Sequence, residues 1–243
     1  MSKQKFLERY SRQIILKDIG ILGQKLISKA KILVVGAGGL GCPIAEYLSR
    51  AGIGTLGIVD FDKVQLSNIH RQSMYNTKDI GKFKVDVVQK KIKLINPLVK
   101  IKKINEKNIK NIVSKFDIIV DGSDNFKTKF LLNKYSIKFK KFYISGAISK
   151  FDGHIFTFNF KNKNEPCLRC FYQTEPSDDI LNCETEGILG PVAAVVANIQ
   201  ANEVIKKILN IGNNLKNHIL IVNLKNLNFR KVKFNKKRNC ICA

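Results

Sequence analysis

The stretch that decides the fold is Lys31–Arg71, KILVVGAGGLGCPIAEYLSRAGIGTLGIVDFDKVQLSNIHR. Ile32–Val35 is a short apolar run, typical of a buried parallel strand, and it leads into a G-x-G-x-x-G turn. Pro43–Ala51 has the pattern of a helix, and Thr55–Val59 that of a second strand, which ends at Asp60. Glycines let the backbone approach a phosphate, the helix N-terminus favours negative charge, and an acid about 20 residues further on binds ribose. Together they predict a nucleotide-binding βαβ unit rather than a purely structural glycine turn.

Polar and charged side chains follow the predicted strands at the points where those strands end. Asn68 and Arg71 come after the second strand, Lys84 follows in GKFKVD, and residues 117–125 (DIIVDGSDN) predict another buried strand that ends close to Asp124. Ligands collect at the carboxyl edge of parallel sheets. Arg and Lys offset phosphate charge there, and a carboxylate suits Mg²⁺. This set favours a triphosphate with its magnesium ion over the ordinary surface charges of a lysine-rich chain.

A nicotinamide- or flavin-dependent oxidoreductase is the main alternative, since such enzymes use the same glycine turn. A dehydrogenase needs little beyond the ribose acid Asp60, so it would leave Asn68, Arg71, Lys84 and Asp124 without a purpose. The residues therefore favour chemistry on the phosphates.

Length and composition indicate a soluble globular protein. The chain has 243 residues, 44% of them hydrophobic and 26% charged, which is enough to build one large α/β domain. No apolar run approaches the roughly 20 residues that a membrane-spanning helix needs. The N-terminal MSKQKFLERY lacks the apolar core of a signal peptide. We therefore expect a cytoplasmic protein without a membrane partner.

The formal net charge of +24 is the most unusual property of the chain. Such a charge suits nucleic-acid binding, but the lysines are spread through nearly every segment and form no basic arm or aromatic-interleaved cluster. Asn, Ile and Lys are all plentiful, as when base composition favours their codons. We favour compositional drift over a nucleic-acid site, while noting that a basic surface would steer an acidic protein partner.

The fold class expected is α/β, with a doubly wound, mostly parallel Rossmann-like sheet, because helix and strand patterns alternate along residues 31–148. From Ser149 the pattern changes, and the alternation in Gly153–Phe160 predicts antiparallel strands that extend the same sheet. Pro191 opens a helix whose apolar face we expect on the core rather than on a dimer partner.

A single domain is expected over residues 1–243. Residues 1–30 would form an N-terminal helical segment with a polar turn near residues 18–24, residues 31–148 the nucleotide-binding core, and residues 149–243 a C-terminal part that bears most cysteines.

Six cysteines in a cytosolic chain indicate metal binding or catalysis rather than disulfides. They are Cys42, Cys167, Cys170, Cys183, Cys240 and Cys242. The C-x-x-C pair Cys167 and Cys170 is typical of half a structural zinc site. Cys240 and Cys242 have one residue between them and lie almost at the chain end, so their turn would be tighter. We expect a zinc-knuckle-like segment, the alternative being a tail with two idle thiols. Cys42, within the helix after the glycine turn, is expected to pack in the core.

In these motifs the chain resembles the ThiF/MoeB/HesA adenylyltransferases, bacterial relatives of the ubiquitin-activating enzymes. The matching segments are ERYSRQI (8–14), VGAGGLG (35–41), VDFD (59–62), LSNIHRQ (66–72), Lys84, DGSDN (121–125), CLRC (167–170) and NCETEGILGP (182–191). They occur in order and cover nearly the whole chain. The departure is the C-x-C pair at Cys240, where the family usually has C-x-x-C.

The resemblance implies a role for each matching residue. Those implied to bind the nucleotide are Gly36, Gly38, Gly39, Gly41, Asp60, Ser67, Asn68, Arg71, Lys84, Asp124 and Asn125. Those implied to be catalytic are Arg12, Arg71, Lys84, Asp124 and Cys183, with Asp124 also holding Mg²⁺. Arg12 would reach across a dimer interface to the partner's phosphates. Cys183 forms a covalent bond to the carrier in some members of the family. Nearby acids would raise the pKa of that thiol, so adenylation itself is not expected to need it.

The activity implied is ATP-dependent activation of the C-terminal Gly-Gly carboxylate of a small ubiquitin-like sulfur carrier. The carrier would be ThiS-like or MoaD-like, for thiamine or molybdopterin synthesis, and a sulfurtransferase or cysteine desulfurase would be a further partner of the homodimer. A tRNA-base or small-molecule dehydratase of the same superfamily is the alternative, disfavoured by CLRC together with the C-terminal cysteines. VDFD and GILGP occur with either carrier, so the choice of carrier stays open.

Overall fold

The structure is a computed structural model that describes residues 3–104, 108–174, 176 and 187–240. The helices are α1 (Lys3–Arg9), α2 (Ser11–Ile14), α3 (Gly20–Ile27), α4 (Gly41–Ala51), α5 (Lys84–Ile95), α6 (Ile109–Val113), α7 (Phe126–Lys138), α8 (Leu168–Phe171) and α9 (Gly190–Leu209), with short 3-10 helices at Leu66–Asn68 and Thr77–Asp79. The strands are β1 (Lys31–Val35), β2 (Thr55–Val59), β3 (Lys100–Ile104), β4 (Ile118–Asp121), β5 (Phe142–Ser149), β6 (Asp152–Asn159), β7 (His218–Asn223) and β8 (Asn228–Lys233).

One eight-stranded sheet runs in the order β3-β2-β1-β4-β5-β6-β7-β8. The five strands from β3 to β5 are parallel, and β6 to β8 continue the sheet in antiparallel fashion. The predicted fold class, a doubly wound and mostly parallel sheet with an antiparallel extension, is confirmed. Because the chain order reverses between β1 and β4, the carboxyl ends of these two strands leave a crevice where ligands bind in such folds.

Alternation along β1 explains why helices cover both faces of the sheet. Ile32 and Val34 point into one apolar cluster, together with residues of α4, α5 and α9. Leu33 and Val35 point into a second cluster, together with residues of α6, α7 and the aromatic side chains of β6. Successive side chains of a strand face opposite sides, so an uninterrupted apolar strand requires cover on each.

Helix α9 packs on the core as expected, because Val192 and Val196 are fully buried against α4, β5 and β6. Among the described residues, no helix is both long and apolar enough to span a bilayer.

The predicted polar turn at residues 18–24 is wrong, because α3 occupies most of it. Gly20 and Gly23 resemble turn residues in the sequence, but Gly23 serves close packing: a Cβ added there would lie 2.9 Å from Cδ2 of Leu209. A contact with a residue so distant in the chain overrides the local preference for a turn.

Candidate active site

A cavity of about 610 Å³ opens at the carboxyl ends of β1, β2 and β4, within the size range of small-molecule and cofactor sites. Most of the residues predicted to bind the nucleotide line it. They are Gly36, Gly38, Gly39, Asp60, Asn68, Arg71, Lys84, Asp124 and Asn125. Gly41 and Ser67 are not among the lining residues, and neither is Arg12, which is exposed on α2.

The glycine turn is held so that its backbone faces the cavity. Gly36 has a φ of 91°, which side chains disfavour. A Cβ added to Gly41 would overlap the carbonyl oxygen of Gly36, so Gly41 serves the turn although it does not line the cavity. The peptide groups of Ala37 are also fixed, because Ala37 N–H donates to Asp60 Oδ2 at 2.7 Å and the Ala37 carbonyl accepts from Tyr75 Oη at 2.7 Å.

Asp60 sits at the end of β2 with both oxygens engaged, since its Oδ1 accepts from the backbone N–H of Asp62 at 2.8 Å. Burial raises the pKa of this carboxyl group, and the positive charge of Lys84 opposes the rise. A carboxylate oxygen can accept more than one hydrogen bond, so Asp60 still has acceptor capacity for ribose hydroxyls.

Lys84 begins α5 and is almost wholly buried, with its Nζ 2.9 Å from Oδ2 of Asp62. The Asp62 side chain is 71% exposed at the cavity. Sequence reasoning assigned Lys84 to phosphates and gave Asp62 no role, although VDFD places two acids at the end of β2.

Arg71 lies over the glycine turn. Its Nη1 donates to the carbonyl of Ser67 at 2.8 Å, and a Cβ added to Gly39 would lie 3.7 Å from the Arg71 Cγ. The first turn of α9 also packs against Gly39, since a Cβ added to Gly39 would lie 3.4 Å from the Cβ of Ala193. Ser67 therefore contributes its backbone to orienting Arg71, while Asn68 accepts from Gln65 N–H at 3.1 Å within the 3-10 turn.

The described lining residues carry balanced charge. Three are cationic (Lys63, Arg71 and Lys84) and three anionic (Asp60, Asp62 and Asp124). A triphosphate brings several negative charges into this neutral set. It therefore needs further cations, such as a metal ion or a side chain from another subunit.

Two features of the cavity wall were missed from the sequence. Gln72 is 3% exposed, its Nε2 lies beside Gly38, and its Oε1 has no hydrogen-bond partner among the described residues. Lys129, on α7, lies behind the lining residues, buried against Asp121 and hydrogen-bonded to the carbonyl of Ser123, the residue before Asp124. The helical pattern held a signal for Lys129, because it lies three residues after the buried Phe126 and one before the buried Phe130.

Three of the predicted zinc ligands converge in the second apolar cluster, the one that contains Leu33 and Val35. The Sγ atoms of Cys167, Cys170 and Cys240 lie within 4.8 Å of one another, with 3.5 Å between those of Cys167 and Cys240. Tetrahedral Zn–S bonds of about 2.3 Å place sulfur atoms roughly 3.8 Å apart, so the spacing fits zinc. Cys183 and Cys242 lie outside the described residues.

Cys42 packs in the core as expected, where burial raises the pKa of its thiol to about 12. A thiol in that state is a poor nucleophile at neutral pH.

The ThiF family's sequence model matches residues 10–243. A sulfur carrier protein adenylyltransferase from Thermus thermophilus is 37% identical over 98% of this chain and 91% of its own length. A probable molybdopterin-synthase adenylyltransferase from Gracilaria tenuistipitata var. liui is 38% identical over 96% of this chain and 66% of its own length. An adenylyltransferase and sulfurtransferase MOCS3 from Anopheles gambiae is 37% identical over 98% of this chain, which spans 55% of that relative.

Solved structures share the same fold. The microcin C7 biosynthetic enzyme MccB in complex with N-formylated MccA superposes with a TM-score of 0.84 at 22% identity, over 100% of this chain and 77% of that one. E. coli MccB with ATP gives a TM-score of 0.82 at 21% identity, over 100% of this chain and 82% of that one. Identities this low establish the architecture alone. With the family match over nearly the whole chain and the relatives above 30% identity, this chain belongs to the ThiF family.

Proposed function

We propose that this chain transfers AMP from ATP to the C-terminal carboxylate of a small sulfur-carrier protein, forming an acyl-adenylate and releasing pyrophosphate. The observation that carries the proposal is the meeting of Arg71, Lys84 and Asp124 with the glycine turn in one cavity. The names of the relatives, sulfur carrier protein and molybdopterin-synthase adenylyltransferases, support it over the oxidoreductase and dehydratase alternatives.

The reaction requires little acid–base catalysis from the protein. A carboxylate oxygen of the carrier attacks the α-phosphorus, and the bond from that phosphorus to the bridging oxygen breaks as pyrophosphate leaves with the electron pair. The nucleophile is already an anion, so the barrier lies in bringing negative groups together. Arg71 and Lys84 would offset phosphate charge, Asn68 would donate hydrogen bonds to it, and Asp60 would hold the ribose.

Because the lining charges are balanced, a magnesium ion would offset the negative charge that a triphosphate brings into the cavity. The Asp124 side chain is exposed to the cavity, and Mg²⁺ is commonly bound by one or two carboxylates together with substrate phosphates. Bound there, the ion would neutralise charge that develops on the leaving pyrophosphate. Zinc in the cysteine cluster would have a structural role, because sites with four thiolate ligands are closed to substrate.

The remaining assignments concern partners and chain organisation. We propose a homodimer in which Arg12 of one subunit supplies a cation to the cavity of the other. Residues 1–30 would be an N-terminal helical segment, residues 31–148 the nucleotide-binding core and residues 149–243 the carrier-binding and cysteine-bearing part of one domain. The same proposal includes a thiamine- or molybdopterin-type carrier and a sulfurtransferase or cysteine desulfurase as sulfur donor. It also includes a covalent role for Cys183 and a cytoplasmic location.

Carrier-dependent exchange between ATP and labelled pyrophosphate tests the function. The parent protein should exchange label only when a carrier ending in Gly-Gly is present, and Asp124→Ala should lower the rate at least about a hundredfold while circular dichroism stays unchanged. Asp86→Ala is the matched control, because Asp86 lies on α5 and pairs with Lys103 at 2.8 Å away from the cavity. Near-normal exchange by Asp124→Ala would remove its role, and no adenylated carrier with either carrier type would overturn the function.

A further inference from the structure

A buried ionic network lies directly beneath the cavity wall. Lys129 is 2% exposed and Asp121 is wholly buried, with 3.1 Å between Lys129 Nζ and Asp121 Oδ2. The same carboxylate oxygen accepts from Tyr143 Oη at 3.0 Å and from Ser145 Oγ at 2.8 Å. Burial raises the pKa of Tyr143 well above its ordinary value, so the phenol stays neutral and donates.

The network ties together two walls of the cavity. Besides Asp121, the ammonium of Lys129 donates to the carbonyls of Ser123 at 2.8 Å and Gly146 at 2.6 Å. Ser123 precedes Asp124 in one wall, and Gly146 precedes Ala147, which lines the cavity from β5. All three hydrogens of the ammonium thus have acceptors, so the lysine is fully satisfied in its site.

The backbone before and after Asp124 is fixed by this arrangement. Ser123 donates to Asp121 Oδ1 twice, from its backbone N–H at 2.9 Å and from its hydroxyl at 2.6 Å, and its carbonyl accepts from Lys129. On the other side, Asn125 Oδ1 accepts from Thr128 N–H at 2.8 Å and caps α7. Asp124 is the exposed residue of this turn; it lines the cavity, and its Oδ1 accepts from Asn125 Nδ2 at 3.4 Å.

Stability does not by itself explain a charged pair in this place. Taking two charges out of water costs solvation that their mutual attraction often only balances, and apolar replacements of similar volume are frequently as stable. Functional groups, in contrast, need neighbours that lock their orientation before the ligand arrives.

We propose that Lys129 is a positioning residue: with Asp121 it fixes Ser123 and thereby holds Asp124 in the orientation that meets the magnesium ion of the bound nucleotide. The inference rests on the role proposed above for Asp124. Lys129 itself touches neither nucleotide nor metal, and its effect is on how strongly Mg²⁺ improves nucleotide binding.

Calorimetric titration with a non-hydrolysable ATP analogue, with Mg²⁺ and with EDTA, tests the inference. The quantity compared is the ratio of the two dissociation constants. Lys129→Met leaves Asp121 buried without its cation, so the decisive variant is Asp121→Asn with Lys129→Met, which removes both charges together. We expect this double variant to fold and its ratio to fall about tenfold or more toward 1, with binding in EDTA unchanged.

A control and a milder variant make the result decisive. Glu203→Gln alters an ion pair between a buried carboxylate and the partly exposed Lys206, on α9 and outside the cavity lining, and should lower stability without changing the ratio. Ser145→Ala removes one donor to Asp121 and should lower the ratio at least about twofold. This variant replaces the double variant in the test if the double variant does not fold. A parent protein whose binding ignores Mg²⁺ would contradict the proposed function. A parent that responds to Mg²⁺, with the variants responding equally, would overturn the role of Lys129.

Discussion

Lys84 and Asp62 form an ion pair at the cavity, with the nearly buried lysine Nζ 2.9 Å from a carboxylate that is mostly exposed. A phosphate that enters the cavity competes with Asp62 for this ammonium group. The carboxylate also repels the incoming negative charge.

Asp62→Asn should therefore tighten the binding of ATP by about two- to fivefold, the range expected when a half-exposed ion pair of about 1 kcal/mol or less no longer competes. A nucleotide titration at low ionic strength measures the change. Asp86→Asn, which opens the surface pair with Lys103, is the control and should leave the affinity unaltered. Weaker binding by Asp62→Asn would mean that Asp62 orients Lys84 instead of competing for it.

The affinity for adenosine should fall on acidification, beginning at a higher pH than an exposed aspartate would give. The reason is that burial raises the pKa of Asp60, and its ionised form is the stronger acceptor for ribose hydroxyls beside the hydrogen bond from Ala37. Adenosine carries no phosphate to titrate, so binding measured from about pH 7 down to about pH 4.5 isolates Asp60. Asp60→Asn should bind more weakly with no slope over this interval; an equal slope in that variant would assign the titration to another group.

Mixing two inactive variants tests whether Arg12 acts across a dimer interface. In a mixed dimer of Arg12→Ala and Asp124→Ala, one cavity combines an intact Asp124 with the partner's intact arginine, and the other cavity lacks both. With random subunit exchange, about a quarter of the parent adenylation activity should return. If Arg12 served its own subunit, mixing would restore nothing, and if it acted at no site, Arg12→Ala alone would keep the parent activity. Sedimentation of the mixture checks that dimers form.

The purified protein should contain one zinc ion per chain, bound through the cysteine cluster. Cys170→Ser removes one of the three described thiols and should lower the zinc content, measured by mass spectrometry of the metal. We expect it to lower the free energy of unfolding by about 3 kcal/mol, as removal of a native cross-link does. Cys42→Ser is the matched control and should keep the metal. A metal-free parent protein with unchanged stability in chelator would contradict the zinc assignment.

The sequence was sufficient for the central strands β1, β2 and β4, because their buried residues form uninterrupted apolar runs. The predicted strand Thr55–Val59 has the bounds that the structure gives, and both faces of β1 are buried, so an uninterrupted apolar run was the right signal. Gly23 shows the opposite case. Its neighbour Leu209 comes from the end of α9, and no local pattern foretells a contact over that distance.

Some residues of the candidate site were likewise predictable from the sequence, and others were not. Arg71, Lys84 and Asp124 were predictable, since each follows a strand whose end must lie at one edge of the sheet. Lys129 was given no role, because the sequence does not reveal which charged residue finds a buried counterion. The preference of Lys84 for Asp62 likewise depends on side-chain geometry alone.

The opening turn of α9 has a consequence for how this protein is made. Ala193 approaches Gly39, and a Cβ added to Gly190 would lie 2.7 Å from the carbonyl oxygen of His70, so the glycine turn and the segment before Arg71 are packed by a helix encoded some 150 residues downstream. A nascent chain that contains only the parallel strands lacks this packing on the glycine turn. We therefore expect it to bind nucleotide tightly only when synthesis has nearly ended.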